Sequence, residues 1–109
     1  KGFSPPVPDH IRMLLRIHRS ADNKEVIGLC DRELIGKTFT EGDISISITE
    51  SFFGNEPALE EEVVRVLMTS DNITIFGHRC VDLATRYGVI EKDSCRLIEG
   101  IPYVTILRI

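Results

Sequence analysis

Hydrophobic and polar positions alternate, drift into helical spacing and return to alternation along this chain, and those changes of period mark its elements. From Met13 the apolar residues Met13, Leu15 and Ile17 share one parity while Arg12, Arg16 and His18 share the other, with Leu14 as an exception. This predicts a half-buried strand with a basic outer face. Asp22 and Asn23 suit a turn, and the apolar run Val26 to Cys30 then completes a hairpin. Asp31 to Gly42 is polar apart from Leu34, Ile35 and Phe39, and reads as a helical turn or ordered loop covering one end of the core. Ile44, Ile46 and Ile48 alternate with Ser45, Ser47 and Thr49, the clearest period of two in the chain, and predict a third strand.

Helical spacing follows. Pro57 opens a segment in which Leu59, Val63, Val66 and Leu67 fall on one helical face, with Glu60, Glu61 and Glu62 at the end where the helix dipole favours them. Asp71 to Tyr87 carries two signals. Ile73 to Phe76 is rich in β-branched residues, whereas Ile73, Phe76, Cys80, Ala84 and Tyr87 follow one helical face. The spacing predicts a helix capped near Asn72 and ended by Gly88; a start near Gly77 is the alternative. Cys95 to Ile98 and Pro102 to Ile109 flank Glu99-Gly100 as a tight hairpin whose last strand, apolar on both parities, belongs inside a sheet.

These elements define an α+β fold, a single domain with a mainly antiparallel sheet of about five strands and two helices. The 109 residues suffice for one core. Residues 13–109 form the expected domain. Residues 1–12, with Pro5, Pro6 and Pro8, read as an extended arm ahead of a candidate start at Met13.

Composition narrows the partners. Apolar residues make up 42% and charged residues 28%, a globular balance, and no apolar run reaches the length of a membrane span. A cytoplasmic protein without a membrane partner is expected. Cys30, Cys80 and Cys95 are an odd set without close pairing and read as free thiols. Net charge is −4, yet the basic residues concentrate early: residues 1–40 hold seven Lys/Arg against five Asp/Glu, and the remainder six against twelve. Broad contact with nucleic acid phosphates is thereby excluded and DNA is not an expected partner; a local RNA contact would sit in the N-terminal half.

The candidate chemistry is sparse. Gly36-Lys37-Thr38 looks like the end of a phosphate loop, but Asp31 stands where that motif needs its first glycine. His10, His18, His78 and the cysteines show no paired metal-ligand spacing, so neither metal nor cofactor is expected. Glu60 to Glu62 point around a helix instead of converging. A helix starting at Gly77 would offer free N–H groups, His78 and Arg79 to an anion, joined by Lys37 and Thr38; a solvated helix start explains the same residues. Arg12, Arg16 and His18 on the first strand, with Phe52 and Phe53 for stacking, are the candidate RNA-binding residues, and alternation alone would also produce such a face.

Several segments together resemble a known family. Cys30-Asp31, Glu33 to Phe39, Glu41-Gly42, Phe52-Phe53-Gly54, Gly77 to Ala84 and Gly100-Ile101-Pro102 are similar to an archaeal family of small proteins, domain of unknown function four-two-four, over Met13 to Ile109. The resemblance implies archaeal origin, an α+β fold, no assigned catalytic residues and, through the family's gene neighbourhoods, an RNA or ribosome context. Three functions remain open: a noncatalytic binding module near the translation machinery, with RNA or a ribosome-associated protein as partner; a small enzyme or ligand-binding protein acting on an anionic small molecule; or a protein–protein adaptor using Phe52-Phe53 and the acidic C-terminal half.

Overall fold

A computed structural model describes residues 12–108. Apart from Arg12, the expected N-terminal arm lies outside the described residues. The chain runs β1 (Met13–Arg19), β2 (Glu25–Asp31), a 3-10 turn (Arg32–Leu34), β3 (Thr38–Glu41), β4 (Ile44–Ser47), α1 (Glu50–Phe53), β5 (Pro57–Ala58), α2 (Glu60–Thr69), β6 (Asn72–Phe76), α3 (His78–Arg86), a second 3-10 turn (Lys92–Ser94), β7 (Arg96–Ile98) and β8 (Ile101–Leu107). Six strands form one sheet in the order β5-β1-β2-β6-β8-β7, and β3 and β4 pair separately. The α+β class therefore holds, with one parallel pair, β2 with β6, among antiparallel neighbours.

The sheet has a core on each face. Met13, Ile27, Leu29, Ile73, Ile75 and Ile106 meet α2 and α3 through Val63, Leu67, Cys80 and Leu83. On the other face the cross-strand row Leu14, Cys30, Phe76 and Tyr103 lies under α1 and the β3–β4 region, which supply Phe53, Leu34 and Ile48. Phe76 and Tyr103 stack there with ring centroids 4.8 Å apart. Burial on both faces explains the absence of alternation in β6, a central strand.

Three expectations change. The helix expected from Asn72 is a strand through Phe76, and the alternative start at Gly77 is the one observed. Gly77 adopts φ 113°, which suits glycine, and the chain reverses there from strand to helix. The third strand, expected beside the others, forms at Ile44 to Ser47 but in the small separate sheet, with Ile44 half exposed. The Asp31 to Gly42 segment contains β3 as well as a turn. The C-terminal hairpin is as expected, with Glu99 at φ 50° and Gly100 at φ 80° forming its two-residue turn and β8 inside the sheet.

Candidate ligand-binding cleft and the α3 start

The anion position at the start of α3 exists, and its occupant belongs to the chain. Asp31, at the end of β2, is 2% exposed. Its Oδ2 accepts from the backbone N–H of Arg79 and its Oδ1 from that of Cys80, both at 3.0 Å. Two of the amides that a helix start leaves unpaired are satisfied across 48 and 49 residues of sequence. The approach is close: a Cβ on Gly77 would lie 2.4 Å from the Asp31 Cγ, so any side chain there displaces the carboxylate. Burial raises the Asp31 carboxyl above its ordinary value, and the donors at Arg79 and Cys80 oppose this without reversing it.

The neighbouring groups are also committed. The Arg79 guanidinium donates to Glu33 at 2.5 Å. Partial burial works to raise Glu33, but hydrogen bonds from its own backbone and from Arg79 hold it below the usual value. Cys30 and Cys80 are fully buried. Desolvation pushes the Cys30 thiol up to about 12 and the Cys80 thiol well above its ordinary value, in both cases reinforced by Asp31. Neither supplies a thiolate for nucleophilic chemistry. No group of three or more His, Cys, Asp or Glu positioned to hold a metal occurs among the described residues.

Beside α3 lies a cleft of about 570 Å³. The sheet ends at β7, and the apolar surface of Leu97, 63% exposed, and of Pro102 is left beside Val81 and Thr85 of α3. Arg79 and Lys92 bring cationic groups to the cleft, His78 an imidazole, and Asp82 an anionic group that pairs with Arg86 at 3.5 Å. Cys95 also lines it, with its thiol raised by desolvation. An apolar floor with cations around it is the pattern of a site for an anion carrying an apolar body.

The structure brings His78 and Arg79 to this cleft but not Lys37 and Thr38, which lie outside its lining. Thr38 instead lies 2.9 Å from the Ser47 hydroxyl on the small sheet. Among the RNA-binding candidates, Arg12 and Arg16 are exposed. His18 is not on an open face. Its Nε2 lies 2.8 Å from the Phe52 carbonyl and its ring stacks on Phe52, centroids 5.1 Å apart. Phe52 covers Gly28, where a Cβ would meet its carbonyl oxygen at 2.6 Å, and Phe53 is 4% exposed. The parity of β1 was legible, but its outer face is partly roofed by α1. Sequence reasoning missed Asp31 and Lys92; a carboxylate directly after the apolar strand Val26 to Cys30 was the available signal for the first, and none marked the second.

The fold and cleft define a small α+β domain without a recognisable catalytic set among its described residues. The chain belongs to the family described as Protein of unknown function (DUF424), whose model matches residues 18–109. A crystal structure of an uncharacterized conserved protein from Methanopyrus kandleri has the same fold, with TM-score 0.69 and 22% identity over 88% of this chain and 93% of that one. No curated protein matches the chain. No helix among the described residues is long and apolar enough to cross a membrane.

Proposed function

We propose that this chain is a noncatalytic binding module whose ligand, a small anionic molecule with an apolar body, sits in the cleft between α3 and β7. The observation that carries the reading is the exposed Leu97 floor with His78 and Lys92 beside it, neither of which is engaged in an ion pair among the described residues. The Cys30 and Cys80 thiols are buried and protonated and the Asp31 carboxylate is occupied as a helix cap, which favours binding over covalent chemistry. The protein works in a reducing compartment, the cytoplasm of an archaeon; its support is the set of three free cysteines, the family, and the Methanopyrus source of the structural neighbour.

An RNA or ribosome-associated partner is the second reading. Its support is narrower, because Phe53 is buried and His18 and Phe52 are engaged with each other, which leaves the exposed Arg16 as the main phosphate contact.

Anilinonaphthalene sulfonate, an apolar ring system with one anionic group, tests the first reading by fluorescence. Saturable binding that weakens in Lys92→Glu and Leu97→Asp, with folding intact, is expected. Equal binding by both variants overturns it, and salt-dependent RNA binding lost in Arg16→Ala would favour the second reading instead.

A further inference from the structure

β1 is next to the end of the sheet, and most of its outer edge is unpaired among the described residues. β5 covers that edge only at Met13 and Leu14. Hydrogen-bonded pairs alternate along an antiparallel ladder, and the backbone bonds from Arg32 N to Arg12 O at 2.7 Å and from Ser20 N to Lys24 O at 2.9 Å fix the phase. Even-numbered residues of β1 turn their N–H and C=O groups toward β2; Leu15, Ile17 and Arg19 turn theirs outward. Beside this edge runs a groove of about 610 Å³ lined by Leu15, Arg16, Ile17, Asn55, Glu56 and Glu62, among others. Ile17 is 50% exposed at its centre.

We propose that β1 pairs with β1 of a second copy of this chain, antiparallel about a two-fold axis at Ile17, to make one sheet continuous through both copies. This register is the one that uses every outward group. Ile17 meets the second copy's Ile17, and Leu15 meets the second copy's Arg19 at either end, all as hydrogen-bonded pairs. β5 bounds the new ladder on one side and the Ser20–Lys24 turn on the other, so it is five residues long. Arg19, which pairs with Glu25 of its own copy at 2.5 Å and whose side chain is 65% exposed, would arrive beside Leu15 of the other copy, whose groove Glu56 and Glu62 also line. The two Ile17 side chains would cover one another on the face that carries α2. An extended edge with outward N–H and C=O groups is otherwise a template for uncontrolled pairing, and closed two-fold association removes it. This inference is independent of the cleft.

The test is sedimentation equilibrium of the full chain over micromolar concentrations, with amide hydrogen exchange read residue by residue. The expected mass is twice the 12.3 kDa of the chain, with the amides of Leu15, Ile17 and Arg19 protected. Ile17→Pro removes the central donor, whose N–H the ladder with β2 does not use, and should raise the dimer dissociation constant about 30-fold or more. If that variant fails to fold, Ile17→Lys, which sets two like charges side by side, serves instead and should give a folded monomer. A monomeric parent, a dimer in which the Ile17 amide exchanges freely, or a dimer unaffected by Ile17→Lys would each overturn the proposal.

Discussion

Replacing Asp31 by alanine probes the contact on which the geometry of α3, and hence one wall of the cleft, depends. The substitution deprives the Arg79 and Cys80 amides of their acceptors, each a 3.0 Å hydrogen bond to a carboxylate that is 2% exposed. A buried amide left without a partner costs about 1–3 kcal/mol, and loss of a helix cap typically about 1 kcal/mol; the two descriptions overlap and are not summed. Removing the carboxylate also removes the cost of burying it, which the raised carboxyl value reveals. The expected net destabilisation is about 2–4 kcal/mol, large against the stability of a domain of this size. Urea unfolding followed by circular dichroism measures it, with the denaturant slope unchanged if the native fold is retained. A loss below about 0.5 kcal/mol, the range of an ordinary surface substitution, would refute the assignment of Asp31 as the cap of α3.

Two further outcomes follow from the same cluster. Because the Asp31 carboxyl in the fold is raised above its ordinary 3.8, its protonated form is favoured by folding. Its contribution should be fully present below that value and lost as pH rises through the folded one, so the parent should lose stability relative to Asp31→Asn in urea titrations from acid toward neutral pH; a parent that gains stability over this window would mean that the amide donors outweigh burial. Cys95, partly exposed, should react with a thiol reagent under native conditions well before the buried Cys30 and Cys80, which should wait for unfolding; simultaneous labelling of all three would contradict the packing.

Much of the fold was legible because local pattern and tertiary setting agreed. Val63 and Leu67 of α2 are buried where helical spacing placed them, and the Glu99-Gly100 turn has the positive φ values its residues favour. The failures share a physical origin in contacts between distant segments. Ile73, Ile75 and Phe76 lie in a strand packed on both faces, whose apolar run carries no period of its own, so the false helical register with Cys80 and Ala84 prevailed. Ile44, Ile46 and Ile48 gave the clearest strand signal but said nothing of which sheet the strand joins. Likewise the alternation in β1 identified two faces, and only the position of α1 shows that His18 lies against Phe52.

The candidate site was half legible. His78 and Arg79 were marked by their place after Gly77, while Lys92 and Leu97 reach the cleft only because the second 3-10 turn and β7 pack beside α3. In the sequence, Asp31 breaks the phosphate-loop pattern that ends at Lys37 and Thr38. It proves instead to be the anion at the start of α3, a role that requires the sheet to bring residues 31 and 77 together.

The most direct test of the binding reading is a nitrogen–proton correlation spectrum of the full chain titrated with anilinonaphthalene sulfonate. The account predicts saturable shifts concentrated at Val81, Thr85, Lys92 and Leu97, with β3 and β4 unmoved, and their loss in Leu97→Asp. Shifts absent from the cleft, or scattered over the surface without saturation, would contradict it.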